Sequence, residues 1–376
     1  MLAGIWRELQ YLMQHKWDLC MVTLAPALVI LLFSAMFAQG KPEHLPIAIV
    51  DQDHSNLSRN ISQFSRLNHS LQIETITPSM DEAERLLNQT KIWGYIHIPA
   101  GAEQRFVQAK DAEISIAYNQ SYFSVGNSIS SAMLLSTLQA MTDFSGHQYL
   151  ENKIPYLDAP TPNIKISPLF NPGLNYEFYL EPYMIPAILH LLLCCCVAFS
   201  VGQELKFGTT QQWGNSPSRL RALVSKNLTY VLIFCAWTWA WMFWLIAVRG
   251  WFVQGSLWLI LLAQFFFYSA YAFISSTVVL ATRDLAKSFG FIAVYGGSSL
   301  SFAGVTLPLN NAPMFTKFWA NIIPYTPYAK LQTEQWVIGS PISISLTPLI
   351  VLMIYCLFYV ALAYVFLRKV LAEAST

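Results

Sequence analysis

The chain has 376 residues, of which 55% are hydrophobic and only 11% are charged, whereas soluble domains usually carry about a quarter charged residues. This composition argues against a soluble enzyme, a disordered chain and a fibrous protein. The net charge of +1 hides a division, because residues 39–182 carry a net charge of −6 and the rest of the chain carries +7. We therefore expect the two parts to face different compartments.

Six long apolar segments predict membrane-spanning helices, since a bilayer core requires about 20 apolar residues per helix. One lies early, at residues 19–38. The other five lie late, at about 183–202, 228–248, 256–281, 288–307 and 347–367. We therefore predict a mainly α polytopic membrane protein with six transmembrane helices, arranged as one plus five. A cleaved signal peptide is the alternative for the first segment, but Met36 at its −3 position is a poor cleavage residue.

Basic residues predict the orientation of these helices. They flank the predicted spans at four places that share one side of the membrane: Arg7, Lys16, Lys206, Arg219, Arg221, Lys226, Arg283, Lys287, Arg368 and Lys369. The positive-inside rule makes that side the cytoplasm, so both termini are expected there. Residues 39–182 then lie outside, and Arg249 is a minor exception to the rule.

Residues 1–18 form a separate predicted element. Leu2, Ile5, Leu9 and Leu12 follow a helical spacing, which predicts a cytoplasmic helix lying in the membrane interface with its charges among the headgroups. The alternative is a plain extension of the first transmembrane helix.

Residues 39–182 predict an inserted extracytoplasmic α/β domain, because strand and helix patterns alternate along them. Strands are expected at 46–51, 71–77, 92–98 and 113–118. A capping pattern at Ser79 opens a short helix, residues 122–150 read as one long helix, and a proline-rich return segment follows from Pro155.

We find no catalytic cluster and predict no metal site in this chain. Asp51, Asp53 and His54 are close in sequence, but their more ordinary role is strand exit and helix capping, with Asp53 or Ser55 as the cap. The six cysteines all lie in apolar segments, so residues 39–182 hold no disulfide framework.

The energy source is predicted to lie in another subunit. The chain has no GxxxxGK[ST] motif for ATP binding. His190 is the one ionisable residue well inside a predicted span, and a lone histidine there is more often packed than a proton relay. This pattern favours an ATP-coupled route over a proton-coupled one.

Four segments together resemble a known family. They are residues 46–58 (PIAIVDQDHSNLS), Asn171-Pro172, the loop 202–209 (GQELKFGT) with Pro217 beyond it, and residues 304–328 with their prolines. Their order resembles the permease subunit of ABC-2-type (type V) ATP-binding-cassette exporters. Within these, the chain is most similar to the subgroup with a large extracytoplasmic domain after the first helix.

The resemblance implies two functional regions in the five-helix domain 183–376. The first is a cytoplasmic coupling loop, 203–226, in which Glu204, Lys206, Gly208 and Thr209 couple the permease to an ATPase. The family loop often carries several Glu and Arg residues before Gly-Thr, whereas this chain keeps only Glu204 and Lys206; the alternative is that the loop charges only fix topology. The second is an outer re-entrant hairpin, 308–346, whose prolines are candidates for an outer gate: Pro308, Pro313, Pro324 and Pro327.

The resemblance further implies a non-enzymatic transport subunit that exports a small amphipathic or drug-like substrate from a bacterial inner membrane. Expected partners are a P-loop ATPase subunit, a second permease copy or a sister permease, the lipid bilayer and a membrane-fusion adaptor, with no nucleic acid. ATP and Mg would bind the partner ATPase, and no cofactor is expected in this chain. The alternative function is a membrane-anchored extracytoplasmic binding or receptor scaffold; a membrane enzyme is a third.

Overall fold

The computed structural model describes residues 1–38, 43–119, 123–152, 175–210, 218–306, 309–310 and 312–373. The chain divides into two compact units. The helical unit holds Met1–Ala38 and Asn175–Thr376, and the α/β unit holds Gln39–Pro168. Residues 175–182, which the sequence assigned to the α/β domain, belong to the helical unit, because their carboxylates bond to residues of that unit. The predicted proline-rich return from Pro155 to Pro172 lies outside the described residues, and Pro182 and Pro186, which the sequence assigned to it, lie in a helix instead.

The chain begins with two consecutive helices, α1 (Leu2–Gln14) and α2 (Lys16–Phe37). They are separated at His15, whose extended backbone interrupts the helical hydrogen bonding. Leu12 of α1 is buried while Trp6 is exposed, so α1 is amphipathic. In contrast, α2 is apolar around most of its surface.

The α/β unit is built on a four-stranded sheet with the order β2-β1-β3-β4. Its strands are β1 (Leu45–Asp51), β2 (Leu71–Thr77), β3 (Gly94–Ile98) and β4 (Ser115–Tyr118). β1 pairs in parallel with β2 and β3, and β4 pairs antiparallel to β3. Each strand falls on a segment whose pattern predicted it.

Helices cover both faces of this sheet. α3 (Asn56–Leu67), α5 (Ala102–Val107) and α6 (Phe123–Asn152) share one hydrophobic cluster with Ile47 and Ile49, and α4 (Met80–Asn88) contributes Ala83 to a second cluster with Ala48 and Val50. Because alternate residues of β1 face opposite sides and both sides are buried, β1 is a continuous apolar run, as expected for a central parallel strand.

The rest of the helical unit follows in chain order. Its elements are α7 (Tyr176–Tyr179), α8 (Glu181–Lys206), α9 (Arg219–Ala247), α10 (Leu257–Thr282), α11 (Leu285–Gly297), α12 (Ser299–Phe302), α13 (Met314–Ile322), α14 (Tyr325–Gln332), a π-helical turn (Thr333–Ile338) and α15 (Ile342–Glu373). In the part of the chain that the structure describes, five helices are long and apolar enough to cross a membrane: α2, α8, α9, α10 and α15.

The predicted span at 288–307 differs from the other five. It consists of α11 and the short α12, which are separated at Ser298. The 13 residues of α11 rise by about 20 Å, less than the roughly 30 Å of a bilayer core. The run from Gly296 to Ser299 has low helix propensity, which explains the break. The count of six transmembrane helices therefore stays a prediction.

α10 lies at the centre of the helical unit and contributes a buried aromatic core. Phe267 stacks on Tyr328 at 4.4 Å between ring centroids, and Tyr271 lies 4.3 Å from the His190 ring. His190 is fully buried, and its Nδ1 lies 3.3 Å from the carbonyl oxygen of Pro186. This environment agrees with the interpretation of His190 as a packed residue.

Candidate functional site

The residues of the predicted coupling loop lie at the C-terminal end of α8. Glu204 and Lys206 occupy its last turn, and Gly208 follows with a positive φ of 68°, a backbone conformation that ends helices and suits glycine. The Thr209 hydroxyl donates a hydrogen bond of 2.5 Å to Glu204 Oε2, which folds the start of the loop back on the helix. Residues 211–217, including Pro217, lie outside the described residues.

Glu204 forms part of a buried ionic cluster. Lys226 Nζ of α9 lies 3.2 Å from Glu204 Oε1, and 2.9 and 3.0 Å from the two carboxylate oxygens of Glu8 in α1. The side chains of Lys226 and Glu8 are only 4% and 3% exposed. Three elements that are distant in sequence therefore meet at one ammonium group.

Neutral donors complete this cluster. Ser200 and Tyr230 donate hydrogen bonds of 2.8 and 2.9 Å to Glu8 Oε1, and Tyr11 donates to Gln203. Burial, together with the nearby charge of Asp18, raises the pKa of Tyr11 to about 12. We call Glu8, Ser200, Glu204, Lys226 and Tyr230 the Lys226 network. A buried network whose members are all hydrogen-bonded holds its elements in one arrangement.

Of the five members of the Lys226 network, sequence reasoning singled out only Glu204. It placed Lys226 at the end of the predicted coupling loop 203–226, but α9 begins at Arg219 and carries Lys226 two turns into the helix. It placed the charges of α1 among headgroups, but Glu8 is buried. The signal was present, because Glu8 lies four residues before the buried Leu12, on the same face of α1.

An open cleft of about 700 Å³ lies beside the end of α8. Its walls come from three places: the α8 terminus with Lys206 and Gly208, the α10–α11 turn with Arg283, and the end of α15 with Glu373. Arg283 and Glu373 form an ion pair of 2.5 Å. The cleft brings together segments whose basic residues predicted a common side of the membrane.

The opposite ends of α8 and α9 carry a second polar cluster. Arg249 Nε lies 2.7 Å from Glu177 Oε1, and Trp251 Nε1 donates a hydrogen bond of 2.8 Å to Glu177 Oε2. Ser34 and Trp241 donate hydrogen bonds to Glu181 Oε1. The hydrogen bond to Glu177 raises the pKa of Arg249 above its ordinary value. Arg249, the exception to the charge rule, thus has a carboxylate partner.

The candidate gate prolines mark helix starts. Pro313 and Pro324 are the N-caps of α13 and α14, and Pro327 lies in the first turn of α14. Proline is tolerated at these positions because the first N–H groups of a helix have no intrahelical acceptor. Pro308 lies outside the described residues. The role of these prolines as a gate stays a prediction.

The acidic turn of the α/β unit is a capping structure. Ser55 is the N-cap of α3 and accepts a hydrogen bond from the Ser58 N–H. Asp53 instead accepts from the N–H groups of Gly101 and Glu103, at 2.6 and 3.0 Å, and so caps α5. Although its partial burial opposes the charge, these hydrogen bonds and one from Ser55 lower the pKa of Asp53. Among the described residues, no three or more His, Cys, Asp or Glu side chains come together as a metal site would require.

These features define a multi-pass membrane protein with an α/β unit and a buried ionic link at one end of its helices. The sequence model of the family described as ABC-2 family transporter protein matches residues 16–365. The chain belongs to this family, which confirms the resemblance to ABC-2-type permeases. Members of the family are transport membrane subunits that work in general with a partner ATPase. No curated protein and no solved structure matches the chain.

Proposed function

We propose that this chain is the permease subunit of an ATP-driven exporter in a bacterial inner membrane, with both termini in the cytoplasm. The observation that carries the proposal is the contact of Lys226 with Glu8 and Glu204, in a chain of the ABC-2 family. In this proposal, two permease subunits, identical or sister, work with two P-loop ATPase subunits, which bind ATP and Mg.

The Lys226 network would transmit the ATPase movement to the helices. The coupling loop 203–226 begins at the end of α8 and returns into α9, and Lys226 ties both helices to α1. A displacement of the loop therefore moves α1, α8 and α9 together, because separating them would leave buried charges unpaired. Lys206 is exposed, so its charge is available to a docking partner.

The proposed substrate is a small amphipathic or drug-like molecule. In this proposal the α/β unit lies outside the cytoplasm and hands substrate to a membrane-fusion adaptor. Residues 308–346, with Pro313, Pro324 and Pro327, form the outer gate. The acidic character of residues 39–182 and the basic character of the rest support the placement of the α/β unit outside the cytoplasm.

Purification of the tagged full-length chain from its native host in mild detergent tests the proposal. A stoichiometric P-loop ATPase is expected to co-purify. Lys206→Glu, at an exposed site, should weaken its binding, whereas Glu204→Ala and Gly208→Pro should lower ATP turnover. Lys110→Glu in the α/β unit is the matched control, because Lys110 is also exposed, and it should change neither property.

Absence of an ATPase after cross-linking and in several detergents would remove the energy source and contradict the exporter. The scaffold alternative would then be tested by a search for ligands of residues 39–182. An ATPase that binds Lys206→Glu as tightly as the wild type would instead place the docking surface elsewhere on the chain.

A further inference from the structure

The helical unit contains a cavity of about 250 Å³ beside the Lys226 network. Residues of five helices line it. They are Leu12 of α1, four residues of α2 between Trp17 and Val22, five residues of α8 between Leu192 and Ser200, Tyr230 of α9 and Phe289 of α11. Its volume is slightly below the range of about 300–1,000 Å³ for drug-sized ligands. The cavity therefore has room for one apolar chain or one small aromatic molecule.

One charged side chain lines this cavity. Among the described residues that form its wall, Asp18 is the one acidic side chain, and no lysine, arginine or histidine accompanies it. The other carboxylate nearby, Glu8, is neutralised by Lys226 at 2.9 Å. A carboxylate in an apolar wall attracts a cation more strongly than one in water does, because a low dielectric screens charge poorly.

Aromatic rings line the same cavity. Trp17, Phe199, Tyr230 and Phe289 all line the cavity, and the faces of such rings attract cations. Trp17 is 81% exposed, and Met21 and Phe199 are partly exposed, so the cavity opens at the surface of the unit. Trp17 lies at the first turn of α2, a usual position for tryptophan at a membrane–water interface.

We infer that this cavity, which we call the Asp18 cavity, binds an amphipathic cation: an ammonium group at Asp18 and an apolar chain between α2 and α8. The inference rests on the proposed exporter function and names its substrate class. A carboxylate with several rings and no basic residue complements an ammonium group, whereas it repels the phosphate or sulfate of an anionic amphiphile.

The Asp18 cavity shares two side chains with the Lys226 network. Ser200 and Tyr230 line the cavity, and their hydroxyl groups donate to Glu8 Oε1. Glu8 in turn bonds to Lys226, which contacts Glu204 at the start of the coupling loop. A ligand in the cavity would thus affect the coupling loop, because direct contacts connect the cavity wall to Glu204.

The test measures binding to the full-length permease in nanodiscs of zwitterionic lipid, with empty discs as background. The probe is radiolabelled decyltrimethylammonium. Its competitors are the neutral carbon isostere, in which carbon replaces the nitrogen, and decyl sulfate. We expect saturable binding and about tenfold weaker competition by the neutral isostere, the ratio typical of one charge-assisted contact. Decyl sulfate should not compete.

Variants assign the binding to this cavity. Asp18→Asn should remove the preference for the cation, and Cys195→Phe should block binding by filling the apolar part. Asp18→Glu should retain the preference, so it keeps the test valid if Asp18→Asn does not fold. Glu74→Gln, an exposed carboxylate of β2, is the matched loss of charge and should bind like the wild type.

Equal competition by the neutral isostere would identify the cavity as a groove for lipid tails and overturn the inference. A cation preference that survives Asp18→Asn would overturn it as well. Because this assay contains no ATPase, its failure leaves the exporter proposal standing. With the ATPase present, decyltrimethylammonium should stimulate ATP turnover in the wild type and not in Asp18→Asn.

Discussion

At the scale of single residues, Lys226 balances two carboxylates in the interior of the helical unit. Its Nζ lies within 3.2 Å of both Glu8 and Glu204. Lys226→Met keeps the length of the side chain but leaves both acids without a cation. We expect the free energy of unfolding to fall by about 3–5 kcal/mol, the usual cost of breaking a buried ion pair. Thermal unfolding of the purified full-length protein measures this change.

Two further variants make that prediction specific. Lys287→Met removes a lysine whose side chain is 75% exposed, so the free energy of unfolding should change by less than about 1 kcal/mol. The double variant Glu8→Gln/Lys226→Met leaves fewer unpaired charges than Lys226→Met and should be more stable than it. If Lys226→Met were as mild as Lys287→Met, the network would not stabilise the fold.

Asp53 makes the stability of the α/β unit depend on pH. Hydrogen bonds from the N–H groups of Gly101 and Glu103 lower its pKa below the ordinary 3.8. A lowered folded-state pKa adds stability that is present above 3.8 and is lost as the pH falls through the folded-state value. Asp53→Asn removes the charge and one of the two acceptor oxygens, so it should lower the protection of these amides by about 1 kcal/mol above pH 3.8, with a smaller difference at lower pH.

Hydrogen exchange on the full-length protein measures this effect, with wild type and variant compared at each pH. Asp81→Asn, in the first turn of α4, is the control and should not change exchange at Gly101 or Glu103. A difference between Asp53→Asn and wild type that grows as the pH falls would contradict the assignment of Asp53 as the cap.

The helix caps of the α/β unit show which contacts can be predicted from local sequence and which cannot. The pattern Ser55 to Ser58 predicts the α3 cap, because both partners lie within one turn. The same sequence cannot tell that Asp53 caps a helix 48 residues later, or that Glu103 Oε2 accepts the Leu57 N–H at 3.0 Å. Those contacts follow from the parallel pairing of β1 with β3, which brings the two helix starts together.

At the scale of elements, the strands were predictable and the helix break was not. β1 is a short apolar run, β2 alternates apolar and polar residues, and the strand pattern detects all four strands. The span at 288–307 is apolar on average, but an average hydropathy does not register the low helix propensity of the four small residues at Gly296–Ser299. The pairing within the Lys226 network was also out of reach, because the spacing of Glu8 to Leu12 indicates its burial but does not identify Lys226, 218 residues later, as its partner.

The π-helical turn before α15 ends at Gly339, where the backbone has φ +75°. A Cβ at this position would lie 3.0 Å from the carbonyl oxygen of Gln254. Gly339→Ala therefore adds a close contact to the strain of a left-handed backbone. We expect a loss of about 2–4 kcal/mol in the free energy of unfolding, measured by thermal unfolding.

Gly250 is the matched control for this position. Its φ is +73°, and a Cβ there would meet nothing within 4 Å. Gly250→Ala should cost only the backbone strain, about 1–2 kcal/mol. Equal losses at both positions would mean that the contact with Gln254 relaxes without cost and that the turn adapts to the larger residue.

At the scale of the whole molecule, the uneven charge distribution makes a prediction about topology. Residues 39–182 carry −6 and the rest +7, and the cleft residues Lys206 and Arg283 lie together at one end of the helical unit. If the positive-inside rule applies, Glu74 and Lys287 lie on opposite sides of the membrane. Both residues are exposed, so cysteines at either site should react with a thiol reagent that reaches them.

Labelling with a membrane-impermeant maleimide in spheroplasts tests this topology. Glu74→Cys should react in intact spheroplasts, and Lys287→Cys should react only after the membrane is permeabilised. The unsubstituted chain gives the background, since its six cysteines all lie in apolar segments. Reaction of Lys287→Cys in intact spheroplasts would put the coupling loop on the outside, beyond the reach of a cytoplasmic ATPase. That result would also contradict the exporter proposal, because an ATPase on the other side of the bilayer could not contact the coupling loop and move it.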